Sequence, residues 1–233
     1  YERKQKSLNI QERRELTYKE IRKNEEINLL IKKGNDVLGV LGYTDHSKKH
    51  AAKVAVTAGK ILKDLGYDKH QIELAKIAGY MHDIGNSINR NDHAHSGAIL
   101  AFEILKSLGM PLEDAITVAT AIGHHDENTG AAVDVVSAAL ILADKTDVRR
   151  NRVRNPIIAN FDAHDRVNYA VLSATVKVNT DKKQLQMDLE LDDTMCTVMN
   201  YFEIFLQRMM MCQRAAEVLG LKFKLIANGS KMC

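Results

Sequence analysis

Nine histidines occur in the 233 residues, and eight of them fall between residues 46 and 125. Even spreading would put about three there, so the fold must bring together or tolerate an unusual density of imidazole. The same stretch carries helical periodicity. Ala51, Val54, Ala55, Ala58, Ile61, Leu62 and Leu65 form one apolar stripe that ends at Gly66. Residues 72–81 continue the pattern up to Gly85, residues 99–108 stop at Gly109, and residues 112–122 stop at Gly123. Glycine in the left-handed conformation is the usual helix stop. Residues 135–148 are apolar almost all round, which predicts a helix at the centre of the molecule.

The last third changes period. Leu185, Met187, Leu189 and Leu191 alternate with Gln184, Gln186, Asp188 and Glu190, the pattern of a half-buried strand. Leu172, Ala174, Val176 and Val178 suit a partner strand across a turn at 179–181. A helix carrying Met195, Val198, Met199, Phe202, Phe205, Leu206 and Met209 follows, and Leu221, Phe223 and Leu225 read as a third strand. The expected fold is mainly α: a helical lead-in over residues 1–43, a helical bundle over 44–170 and a small ββαβ appendage over 171–233.

Composition narrows the function. With 33 basic and 30 acidic side chains the net charge is +3, which excludes a grossly basic nucleic-acid coat or an acidic solvating tail. The longest apolar stretch, residues 135–143, is far short of the ~18 residues a membrane span needs. Cys196, Cys212 and Cys233 are unclustered, which reads as reduced thiols in a cytoplasmic protein. No membrane and no long nucleic acid are therefore expected as partners.

The polar residues of the helical part carry the chemistry. His46 and His50 lie one helical turn apart, His82-Asp83 precede Gly85, and His93 and His95 flank a helix start. His124-His125-Asp126 follow Gly123, and Asp144 sits at the end of the apolar run 138–143. A carboxylate in such a run is costly unless paired or bound to a cation. Imidazoles and carboxylates together select first-row divalent metals. His70 reads as surface at a helix start, and His164-Asp165 as structural. Lys145, Arg149, Arg150, Arg152 and Arg154 crowd next to Asp144; Lys145, Arg149 and Arg150 are candidates to grip phosphate.

In this order the residues resemble the HD-domain metal-dependent phosphohydrolases. The resemblance runs from His46 to Arg154 through 50–55, 79–85 (Gly-Tyr-Met-His-Asp-Ile-Gly), 93–98, 124–126 and 143–145. It implies an all-α core in which His50, His82, Asp83 and Asp144 hold one metal, while Asp83 bridges to a second held by His93, His124 and His125. His46 and His95 are further candidate ligands, and Asp83, Asp144 and Lys145 the candidate catalytic residues. The histidine set resembles the branch that opens cyclic di-GMP, although the Gly-Tyr-Pro of that branch is missing after His125. Residues 143–149 resemble the branch that cleaves diadenosine tetraphosphate symmetrically. The implied activity is hydrolysis of a small phosphoester, a nucleotide for example, by a metal-activated hydroxide at a mono- or dinuclear site. Two divalent transition ions are expected, Fe or Mn ahead of Zn, Co or Ni. The competing reading is an HD module that binds a nucleotide as a sensor, and the appendage is a candidate homodimer element.

Overall fold

The computed structural model of the chain describes residues 15–233, so the first fourteen residues of the charged lead-in lie outside the described residues. Two helices open the described chain, α1 (Tyr18–Ile21) and α2 (Glu25–Val40). Thr17 and Glu20 close a reciprocal capping box on α1, and the Asn24 side chain caps α2. The helical core follows as α3 (Lys48–Asp64), α4 (Lys69–Met81), α5 (His93–Ser107), α6 (Leu112–Gly123) and α7 (Val135–Lys145). A short helix α8 (Ala163–Ala170) then leads directly into strand β1 (Val171–Asn179). After β1 and a second strand, β2 (Gln184–Leu191), comes the long helix α9 (Val198–Val218).

The near-continuous apolarity of residues 136–143 follows from what surrounds α7. It packs against α3, α4, α6 and α9, so no face is left for solvent and Val136 to Ala143 are all buried. Each Leu or Ile buried there contributes roughly 1.5–3 kcal/mol of transfer free energy. Asp134 starts this helix with a capping box to Ser137. The stop at Lys145 places Asp144 in the last turn, where it leaves the apolar sheath.

Two of the expected glycine stops behave as such: Gly66 and Gly109 have φ of +80° and +84°. Gly85 and Gly123 do not. Gly123 belongs to the last turn of α6. Gly85 lies in a single 3-10 turn, Ile84–Ser87, and is needed for space: a Cβ there would lie 2.0 Å from the His93 carbonyl oxygen. Absence of a side chain lets the chain after α4 press against the start of α5.

The C-terminal part forms a mixed sheet in the order β1-β2-β3-β4, completed by β3 (Lys222–Ala227) and β4 (Ser230–Lys231). β1 and β2 are antiparallel, with Val176 opposite Met187. β2 and β3 are parallel, a pairing that needs a crossover, and α9 provides it. The expected ββαβ order is present, with the short β4 added at its end. Met195 stays in the turn before α9, which starts at a Thr197–Asn200 capping box. α9 packs on α7 as well as on β3, so the sheet unit shares its principal helix with the helical core. Cys196 and Cys212 are buried free thiols, and Cys233 is exposed. Among the described residues no helix is long and apolar enough to cross a membrane.

Candidate metal centre

Element ends, rather than helix middles, deliver the polar cluster. His50 lies in the first turn of α3, behind the Ser47 cap. His82 ends α4, and Asp83 opens the 3-10 turn. His93 is the first residue of α5, His125 follows α6, and Asp144 lies in the last turn of α7. All four imidazoles and Asp83 are buried.

Each ring is braced through Nδ1. The partner of His50 is the Asp147 carboxylate at 2.8 Å, and that of His82 the Gly79 carbonyl at 2.8 Å. His93 meets the Arg90 carbonyl at 3.1 Å and His125 the Ile122 carbonyl at 2.6 Å. With all four partners acceptors, Nδ1 carries the hydrogen and Nε2 the lone pair of the neutral ring. These Nε2 atoms then meet in pairs, His50 with His82 at 3.3 Å and His93 with His125 at 3.2 Å. Between the pairs stands Asp83. Its Oδ2 lies 3.1 Å from His82 and 3.6 Å from His50, while its Oδ1 lies 3.7 Å from His93 and 3.9 Å from His125. Asp144 Oδ1 adds to the first pair, 3.3 Å from His50 and 3.5 Å from His82.

Acceptors so concentrated repel unless a proton or cation sits among them. Burial alone would strip His82 of its charge, but the Asp83 and Asp144 carboxylates outweigh it and push the ring up to about 10. Burial also opposes ionisation of Asp83, yet the neighbouring imidazoles, His82 first, hold it well below the usual carboxylate range. For His125, burial followed by the charges of His82 and Lys145 drives the ring far down, so it stays neutral. Burial pulls His93 down too. The two carboxylates thus favour the protonated form of His82. The donor set suits a transition-metal ion. Ligand atoms around an ion with bonds of about 2.0–2.2 Å stand roughly 3–3.5 Å apart, close to the separations within the first pair. Three donor groups have ligand atoms within 4.8 Å of one another: His50–His82–Asp83, His82–His125–Asp144 and Asp83–His93–His125.

Asp83, His93, His125 and Asp144 line a cavity of about 400 Å³, and its remaining wall carries the cations Arg90, Lys145, Arg152 and Arg208 beside the acids Glu127, Asp162 and Asp165. Lys145 Nζ lies 2.9 Å from Asp144 Oδ2 and 2.6 Å from Glu127 Oε2. Burial disfavours its charge, but Asp144 and Glu127 reverse the balance and raise its pKa.

Several sequence candidates stand elsewhere. His124 belongs to none of the three donor groups and borders a shallow groove with His95, Phe102 and Thr120. Successive residues at a helix end point about 100° apart, so His125 turning inward carries its neighbour away. His95 is exposed, 3.5 Å from Asp92. His46 borders the cavity, with Nδ1 2.7 Å from the Thr44 carbonyl, but is outside the donor groups. Arg149 and Arg150 do not line the cavity. Arg149 is bidentate to Asp147, at 2.7 and 2.9 Å, and Arg150 reaches Asp192 at 3.2 Å while lying over the Tyr169 ring. Arg152 and Arg90 take the wall positions in their place. His164 and Asp165, read as structural, border the cavity from α8.

Sequence reasoning passed over Asp147, Glu127 and Arg208. Asp147 is 3% exposed and binds His50, Lys53 and Arg149. Its signal was present: a carboxylate three residues beyond Asp144, just past the end of α7. Glu127 and Arg208 are 81 residues apart and leave no local signature.

A family model described as HD domain matches residues 48–166. An uncharacterised protein of Methanocaldococcus jannaschii is 29% identical over 201 residues, covering 76% of this chain and 77% of its own. Ribonuclease Y of Oceanobacillus iheyensis is 32% identical over 135 residues, 54% of this chain, and the match spans only 24% of that ribonuclease. A solved protein described as a predicted HD superfamily hydrolase, from an uncultured Thermotogales bacterium, aligns over 53% of this chain and 67% of its own. Its TM-score is 0.42 at 24% identity.

Proposed function

Because the chain belongs to the HD-domain family, we propose that it is a metal-dependent phosphohydrolase acting on a small phosphoester, a nucleotide foremost. His50, His82, Asp83 and Asp144 would hold one divalent cation, and Asp83, His93 and His125 a second. The observation that carries this reading is the division of Asp83, whose two oxygens face two separate imidazole pairs. Such a carboxylate is suited to sharing its charge between two ions. The donors are imidazoles and carboxylates without thiolate, which favours Fe or Mn and admits Zn, Co or Ni. Bound there, the ions supply Lewis acidity toward phosphoryl oxygens and make water a stronger nucleophile at neutral pH.

The chain's own residues do the rest. Asp147 and the three backbone carbonyls fix the rings so that every Nε2 faces inward. Lys145, held by Asp144 and Glu127, and Arg90, whose Nη1 lies 3.3 Å from His93 Nε2, bring positive charge to the cavity wall. They offset the charge that grows on phosphoryl oxygens during displacement. A cavity of about 400 Å³ is at the scale of small-molecule sites, which favours a compact ester over a polymer. The ribonuclease relatives make RNA the substrate to exclude.

The test is a phosphoester panel of mononucleotides, cyclic dinucleotides, dinucleoside polyphosphates and a short RNA, assayed with Mn²⁺ or Fe²⁺. Wild type should turn over at least one small ester, and Asp83→Ala should lose bound metal and activity together, by about a thousandfold. Full activity in Asp83→Ala would refute the reading; nucleotide binding without turnover would favour the sensor.

A further inference from the structure

Arg208 comes from α9, in the part of the chain beyond the family match at 48–166, yet its side chain lines the cavity of the metal cluster. Its surroundings are specific. Nε donates to Glu127 Oε1 at 3.0 Å, and the guanidinium lies 4.6 Å over the Phe205 ring, two contacts that fix its plane. Among the described residues Nη1 and Nη2 make no hydrogen bond, so the outer half of the fork is uncommitted. The other oxygen of Glu127 lies 2.6 Å from Lys145 Nζ, an ion pair. Glu127 is therefore a carboxylate clasped between two cations, beside Asp144.

We propose that Arg208 and Lys145 form the phosphate-binding subsite of this cavity, with Glu127 as a built-in counter-anion that aligns the two cations and limits their affinity. The proposal rests on the phosphohydrolase reading for its substrate but not for its ligand, which is a phosphate oxyanion. A planar fork held at Nε presents its remaining donors side by side, the geometry that suits two oxygens of one phosphate. Glu127 satisfies the cations before an anion binds, so buried Lys145 and half-buried Arg208 need no partner from solution. When phosphate enters, the Glu127 charge repels it and the cations attract it. Affinity is set by the difference. The ββαβ unit is then a structural part of the substrate site, because the α9 register determines where Arg208 stands.

The contest between fork and counter-anion predicts opposite signs for two charge-neutralising variants. Inorganic phosphate is titrated by calorimetry into the Mn²⁺-loaded protein, with metal content and thermal midpoint measured alongside. Arg208→Gln should weaken phosphate binding by at least about tenfold, and Arg208→Lys, which keeps the charge but loses the fork, should recover only part of it. Glu127→Gln retains an oxygen for Arg208 Nε and should tighten phosphate binding several-fold. Metal content should stay at the wild-type level in all three. A purely structural Arg208–Glu127 pair would lower the midpoint in both neutralised variants and leave phosphate affinity unmoved, which overturns the proposal. So would wild-type protein that binds no phosphate. Should the protein bind phosphate through Arg208 yet hydrolyse no ester, the subsite stands and the phosphohydrolase reading falls. Ester hydrolysis whose KM and phosphate inhibition are both unchanged in Arg208→Gln overturns the subsite and leaves the phosphohydrolase reading standing.

Discussion

The floor and the wall of one cavity are built on opposite principles. The floor collects acceptors: four imidazoles and two carboxylates, each ring braced from behind by a single hydrogen bond. The wall sets the cations Arg90, Lys145, Arg152 and Arg208 among the acids Glu127, Asp162 and Asp165, and most of the cations are engaged by acids or carbonyls. A floor of lone pairs calls for a metal ion and a wall of paired cations calls for an anion. Neither ligand alone would balance the site, because an anion over the bare floor meets Asp83 and Asp144, both held ionised. Under the function proposed above, the cation would bind first and phosphate second.

The severest way to break the floor is steric. In Gly85→Ala the new Cβ would collide with the His93 carbonyl at 2.0 Å and crowd Gly97 N at 2.6 Å. Either the start of α5 moves, taking His93 with it, or the fold loses stability. A loss of about 3 kcal/mol in urea unfolding is expected, together with loss of the ion held by His93 and His125 ahead of the other. Retention of both stability and metal would mean that the approach of α5 to the 3-10 turn is unimportant.

Asp147→Asn tests the bracing. The carboxylate that fixes the His50 tautomer becomes an amide, and metal affinity should fall about 10–100-fold, as for other groups that orient metal-binding histidines. Wall chemistry should be less affected, so the phosphate response of metal-saturated Asp147→Asn ought to resemble that of wild type.

The proton on His82 gives a gentler probe. Its folded pKa is about 10 and metal needs the deprotonated ring. Metal binding should therefore release a proton at neutral pH and tighten as pH rises toward that value. Calorimetry in buffers of different ionisation enthalpy reads the released proton directly; enthalpies independent of buffer would contradict the charge state described here.

The smallest effect is expected where the sequence pointed and the fold did not follow. His124→Ala should leave metal content unchanged and activity within about twofold, since His124 faces the groove beside His95 rather than the cluster. Loss of one metal equivalent would restore His124 to the ligand set.

What was legible divides along the same line. The clustering of the floor residues can be read in the chain because each of them sits at the end of a periodic stripe, and imidazole is rare enough for its order to carry information. Both His124 and His125 were expected at the cluster; that His125 alone turns inward could not be read, because adjacent residues differ only in direction and direction is set by how α6 ends. The expected role of Gly85 as a helix stop missed its contact with α5, which depends on an approach between separate elements. The arginines that line the cavity are not the ones the sequence singled out. Arg149 and Arg150 are nearest to Asp144 in sequence, but Asp147 and Asp192 hold them away from the cavity. Arg208 enters from α9, and no local pattern announces an ion pair across 81 residues. The ββαβ order was legible from its alternation, whereas the packing of α9 on α7 was not.

Two imidazole pairs divided by one carboxylate make a quantitative claim about stoichiometry. Chelator-stripped protein titrated with Mn²⁺, and checked by elemental analysis after desalting, tests it most directly. About two ions per wild-type chain are expected, with loss of both in Asp83→Ala. A wild-type chain that binds no divalent metal, or an Asp83→Ala chain that still binds two, would contradict it.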